Sequence, residues 1–308
     1  MTEANTQRGA LRQALDWGKL APLRLRAKSV ADGVYAGGHR SRRRGAGIEF
    51  GGHRSYVPGD DLRFIDRHAL LRHGELLVRQ FETETDRTLC LLVDASASMS
   101  YRSEQAPGAK YAYAAVVAAA LTKIAVGAGD RVSLDWFGGE RTVELATAGG
   151  REAFERVVGA LETAQPSADL HSDLPALERA VARVERRAHR GSTVVVLSDL
   201  LDLPDGAQQA ISSLGVRGKT LAVARVLDPE EVTFPFTGPL HLRALEGEAK
   251  VETDAAAARP EYLAALEAQA AGWSSLLLAR GGSLVRMNTS VDPVTAVRAV
   301  LDALGGVV

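Results

Sequence analysis

Leu89-Cys90-Leu91-Leu92-Val93-Asp94-Ala95-Ser96-Ala97-Ser98 joins an apolar run to one carboxylate and two hydroxyls at alternate positions. One acid and two hydroxyls form an all-oxygen set, which suits a hard cation such as Mg2+ that keeps several of its waters. The run before Asp94 is too uniformly apolar for a strand with one wet face. It reads as a central parallel strand covered by helices on both sides. Asp94 then stands at the carboxyl end of that strand, where open α/β sheets place their ligands. The same residues also permit a plainer reading, with Asp94 capping the next helix and the serines forming a turn.

Ser192-Thr-Val-Val-Val-Leu-Ser-Asp199 repeats the arrangement, a β-branched strand with an acid at its carboxyl end. Between the two strands, Ala168-Asp-Leu-His-Ser-Asp-Leu-Pro-Ala-Leu177 is a polar turn opening an amphipathic segment with Leu174, Leu177, Ala180, Val181 and Val184 on one face. Ser172 offers a third hydroxyl there. Three βα loops that converge on one cation account for this pattern better than a chance D-x-S-x-S does.

Asp94, Ser96, Ser98, Ser172 and Asp199 together resemble the metal-ion-dependent adhesion site of a von Willebrand factor A domain. Asp94, Ser96 and Ser98 match the first loop of that family, Ser172 the second and Asp199 the third. The family usually has Thr in the second loop, and Ser172 keeps the hydroxyl. The resemblance implies that Ser96 and Ser98 bind the metal directly, that Asp94 and Asp199 act through water, and that the open position takes a carboxylate from a partner protein.

A second signature lies upstream. Gly45-Ala-Gly-Ile-Glu-Phe-Gly-Gly-His-Arg54-Ser-Tyr-Val-Pro58-Gly59-Asp60-Asp61-Leu-Arg63-Phe-Ile65-Asp66, followed by Leu77-Val-Arg-Gln-Phe-Glu82, is similar to the hallmark segment of domain-of-unknown-function family 58. In that family a von Willebrand factor A domain follows directly. The likeness runs from about Lys19 to the C-terminus, with one departure, Arg67 where the family generally has Trp. It implies a MoxR-type AAA+ ATPase as partner, in chaperone-like maturation or assembly. Pro58-Gly59-Asp60 is a turn, and Arg54, Asp60, Asp61, Arg63 and Asp66 are expected to cross-pair as a structural clasp.

The 308 residues are 46% hydrophobic, enough for one α/β core and a smaller attachment. Cys90 is the single cysteine, which excludes a disulfide within the chain. No apolar run reads as a membrane span and the N-terminus has no signal-peptide core, so a cytoplasmic location is expected. The net charge of −1 hides an asymmetry: from Lys19 to Gln80 there are thirteen Lys or Arg against six Asp or Glu. His39-Arg40-Ser41-Arg42-Arg43-Arg44 is the densest basic point. It lacks interleaved aromatic residues and any nucleic-acid fold motif, so nucleic acid is a secondary reading.

Strands alternating with helices predict a doubly wound, mostly parallel α/β sheet, von Willebrand factor A-like, with a Gly- and Arg-rich N-terminal attachment. Domain limits are placed at 1–86 and 87–308. Leu11 to Ala31 reads as helical or irregular lead-in and Gly33 to Asp66 as extended structure with turns. A helix is expected from Lys110 to Val126, and a hairpin of Arg131–Phe137 with Arg141–Leu145 turning at Gly138-Gly139. A hairpin insertion is expected around 232–253, and a helix from Pro260 to Ala279.

The residue pattern argues against enzymatic chemistry and for binding. His171, Ser172 and Asp173 are adjacent on one turn, which does not allow the mutual aim of a catalytic triad. G-x-S-x-G, G-x-x-x-x-G-K-[ST] and H-E-x-x-H are absent from the sequence. A two-metal phosphoester hydrolase needs more carboxylates than two acids and three hydroxyls supply. The expectation is a non-enzymatic adaptor whose Mg2+, or Mn2+ or Ca2+, captures an acidic side chain of its partner, with a metal-dependent phosphoester hydrolase as the alternative.

Overall fold

The computed structural model describes residues 23–36, 49–56, 65–66, 74, 76–82, 87–167, 170, 175–246 and 250–305. Two compact units emerge, one formed by residues 38–86 and the other by the rest of the chain.

In the small unit, β1 (Glu49–Ser55) pairs antiparallel with β2 (Leu77–Glu82), with a register shift between Phe50 and Gly52. Tyr56 N–H donates to the Leu76 carbonyl and Asp66 N–H to the Leu77 carbonyl, each at 2.8 Å. Ile65 bridges Val78, which is buried. Asp60, Asp61 and Arg63 of the expected clasp, and the basic run from Arg40 to Arg44, lie outside the described residues, as does the side chain of Arg54.

The large unit is built on β3 (Thr88–Asp94), β4 (Arg131–Phe137), β5 (Leu145–Ala148), β6 (Thr193–Ser198), β7 (Thr220–Leu227) and β10 (Gly282–Asn288). They lie in the order β10-β7-β6-β3-β4-β5, parallel throughout except for the edge strand β5. This is the doubly wound α/β fold the alternation predicts. Strand order reverses between β3 and β6, and ligands of such sheets bind at that reversal, outside the carboxyl ends.

Both faces are covered because the strands are apolar on both. Leu89, Leu91 and Val93 of β3 join a core with α1 (Leu23–Ala36), α2 (Lys110–Gly127), α3 (Gly150–Thr163) and α8 (Pro293–Ala303). Cys90 and Leu92, one residue out of phase, join the opposite core with α4 (Pro175–Arg187), α5 (Ala207–Ser213) and α7 (Ala255–Leu278). Asp135 of β4, fully buried, accepts from Arg183 and Arg187 of α4 and fixes that helix across the sheet.

Several sequence expectations shift. The helix Leu23–Ala36 groups with the α/β unit, because Leu23, Ala27, Val30 and Ala31 pack into its core, so a division at residue 86 separates a helix from its own core. Among the described residues one helix, α2, is long and apolar enough to cross a membrane, yet 83% of it is buried inside the unit, where alanines let it pack closely on β3 and β4. The partner of β4 begins at Leu145, later than the turn at Gly138-Gly139 suggests, because Arg141 adopts φ 54° and the intervening chain departs from strand geometry. Helix α7 starts five residues before Pro260, where Asp254 Oδ1 accepts from the Ala256 and Ala257 N–H groups. The insertion is completed by α6 (Pro229–Thr233) and a two-stranded hairpin, β8 (Pro239–Arg243) with β9 (Lys250–Asp254).

Candidate metal site

Asp94 is the last residue of β3 and is fully buried. Its Oδ1 accepts from the Ser96 N–H at 2.8 Å, which curls the chain so that Ser96 Oγ and Ser98 Oγ lie 3.0 Å apart. Ser96 caps a short 3-10 turn, Ala97–Ser100, that contains Ser98 and anchors Met99 in the core. The curl needs room on its β4 side. Gly138 and Gly139 supply it with φ values of 70° and 83°: a Cβ on Gly138 would lie 2.9 Å from Ser96 N, and one on Gly139 2.5 Å from the Ala95 Cβ. The glycine pair read as a hairpin turn is thus also the bed of the D-x-S-x-S loop.

Asp199 follows β6 directly, and Ser198 links it to Asp94. Ser198 Oγ donates to Asp94 Oδ2 at 2.6 Å and accepts from the Leu200 N–H at 3.0 Å. Asp199 Oδ1 accepts from the Leu201 N–H at 2.9 Å, while Oδ2 accepts from Lys110 Nζ at 2.7 Å. The same ammonium reaches Glu231 Oε1 of α6 at 2.6 Å. Lys110 is fully buried at the first position of α2, the helix end where a positive charge is least welcome, so these two acids hold it there. Burial lowers the affinity of Lys110 for its proton, but Asp199 and Glu231 reverse this and raise its pKa above the ordinary lysine value. Burial pushes Glu231 up, with Lys110 opposing.

Among the described residues Asp94 has no such cation. Burial, and then the charge of Asp199, push its carboxyl up to about 7, against the hydrogen bonds from Ser198 and Ser96. Two buried carboxylates on neighbouring strand ends, served by one ammonium that contacts Asp199, leave Asp94 short of positive charge. A small divalent ion supplies such charge, and the two adjacent serine hydroxyls are hard oxygen donors, so the residues present fit a hard cation. Among the described residues no group of three or more His, Cys, Asp or Glu is arranged to hold a metal, which separates this set from a carboxylate-rich two-metal centre.

Of the five residues singled out in the sequence, Asp94, Ser96, Ser98 and Asp199 come together at the strand-order reversal. Ser172, with His171 and Asp173, lies outside the described residues. The same connection is visible at its ends: Ser167 N–H donates to the Ala95 carbonyl at 3.2 Å, and Leu170 is buried. Sequence reasoning missed Ser198, Lys110, Glu231 and Glu246. The Ser-Asp pair at 198–199 and a lysine heading an otherwise apolar helix were available signals for the first two. Glu246 carried none. Its carboxylate accepts from the Ser98 N–H at 3.1 Å and from the Leu170 N–H at 3.2 Å.

Comparison with known proteins adds a family. Residues 52–272 match the family described as protein of unknown function DUF58. The uncharacterized protein Rv1480 of Mycobacterium tuberculosis is 31% identical over 288 residues, which cover 92% of this chain and 89% of that protein. Similar solved structures include the conserved hypothetical protein BatB from Bacteroides thetaiotaomicron, 16% identical with a TM-score of 0.46, covering 71% of this chain and 98% of that one. A von Willebrand factor type A structure from Catenulispora acidiphila is 14% identical with a TM-score of 0.36, covering 75% of this chain and 43% of that one. By the extent of the family match and the identity of its full-length relatives, the chain belongs to the DUF58 family.

Proposed function

We propose that this chain is a non-enzymatic protein-binding module that uses a metal at the carboxyl edge of its sheet to capture an acidic side chain of a partner. Ser96 and Ser98 would hold the ion directly, with Asp94 and Asp199 supplying charge and Ser172 a further hydroxyl. Mg2+ is the favoured ion, with Mn2+ or Ca2+ as substitutes. The observation that carries the reading is the pair of serine hydroxyls 3.0 Å apart beside a fully buried carboxylate that, among the described residues, is met by a hydroxyl and a backbone N–H and by no cation. When bound, the ion supplies Lewis acidity toward an external carboxylate oxygen. The chain's own residues orient the hydroxyls, through the Asp94 bond to Ser96 N–H, and keep the Asp94 side away from bulk water.

By resemblance the partner is a MoxR-type AAA+ ATPase in the cytoplasm, and the pair acts in maturation or assembly of another complex. Association with a purified ATPase of that type, measured in Mg2+, in EDTA and in high salt, tests this. Binding should be lost in EDTA and persist in salt, because a local metal bridge outlasts screening at a Debye length of about 3 Å near 1 M. Binding that survives EDTA but collapses in salt would move the interface to a charged surface.

A further inference from the structure

The β8–β9 hairpin exposes Leu242, Val251 and nearly every other described side chain, but Glu246 beyond β8 is only 6% exposed. A carboxylate is costly to bury, and among the described residues no ion pair compensates this one. What holds it is a pair of backbone donors from two different site loops: Ser98 N–H, within the D-x-S-x-S loop, and Leu170 N–H, on the connection leading to α4. Those residues lie 148 and 76 positions away in sequence. A hairpin that makes so little other burial has placed a charged group on the rim of the one site where an acidic ligand is proposed to dock.

We infer that Glu246 is an internal occupant of the carboxylate-docking position, and that the hairpin is a latch a partner's acidic side chain must displace. The inference rests on the proposed binding function. The chemistry is self-consistent: an external Asp or Glu offers the same acceptor to the same two N–H donors, so it exchanges one carboxylate for another without leaving either donor unmet. Neutral amide donors hold the latch less firmly than a buried cation would, in the way that Lys110 holds Asp199. Partner selection then depends on beating an intramolecular competitor, and apparent affinity is reduced by the fraction of molecules in which the latch is open.

The test uses the full chain, with Glu246→Ala and Glu246→Gln variants, and two readouts. Without metal, amide hydrogen exchange at Ser98 and Leu170 should quicken by about tenfold in Glu246→Ala and by less in Glu246→Gln, which keeps one acceptor oxygen. Amides of β3 and β6 should be unchanged, which verifies the fold. With Mn2+ bound, titration of acetate followed by water-proton relaxation should show affinity raised about tenfold in Glu246→Ala, as expected when a competitor occupying nine molecules in ten is removed. Unchanged exchange at both amides, or equal acetate affinity in wild type and variant, would overturn the latch. If neither protein takes up Mn2+, the metal reading fails separately and the exchange rates alone decide the latch.

Discussion

Asp94 and Asp199 end neighbouring strands of one sheet, both fully buried, and the fold treats their charges in opposite ways. Asp199 is tied to a buried ammonium and a backbone N–H. Asp94 receives one hydroxyl and one N–H, and burial together with the charge of Asp199 pushes its carboxyl up to about 7. On the proposed function, the difference separates structure from binding. Lys110 makes the Asp199 side part of the scaffold, joining β6, α2 and α6 through Glu231. Among the described residues the Asp94 side has no cation, and it is there that the serine hydroxyls converge.

The largest effect expected from this contrast is on stability. Lys110→Met leaves the buried Asp199 and the partly buried Glu231 without the cation they share, at a cost of about 3–5 kcal/mol. Urea unfolding measures it; a midpoint unchanged from wild type would mean that Lys110 is not the scaffold's counter-ion. A smaller loss is expected from Gly139→Ala, whose Cβ meets Ala95 at 2.5 Å and whose φ of 83° disfavours a side chain. About 1–3 kcal/mol should be lost, together with metal affinity, because the loop carrying Ser96 and Ser98 must shift. Asp94→Asn should change stability least. It removes a charge that burial and Asp199 both oppose and keeps the shape, so the shift should stay within about 1 kcal/mol. Metal uptake should nevertheless fail. If Asp94→Asn cost as much stability as Lys110→Met is expected to, the two acids would be equivalent and the contrast would fall.

Much of the scaffold was legible because its signals are local. β3, β6 and β7 announce themselves as uninterrupted apolar runs, and the acids at 94 and 199 stand out because each ends such a run. The hairpin insertion near 232–253 was visible from its prolines and glycines. What escaped depends on distant pairing. Lys110 meets an acid 89 residues away and Glu246 a loop 148 residues away, and neither distance leaves a trace in spacing. The helix Leu23–Ala36 was set with the N-terminal attachment because sequence proximity suggested it, while its apolar face belongs to the core under α2 and α8. The β4–β5 connection was misplaced for a related reason. Gly138-Gly139 has the composition of a tight turn, but its conformation is set by the neighbouring D-x-S-x-S loop.

The central claim is that the two serine hydroxyls beside Asp94 hold a divalent ion. Calorimetric titration of Mn2+ into the wild-type chain and into a Ser96→Ala/Ser98→Ala variant of equal stability tests it most directly. Saturable uptake by the wild type that is lost in the variant is the predicted result. Equal affinity in the two proteins, or no uptake by either, would contradict it.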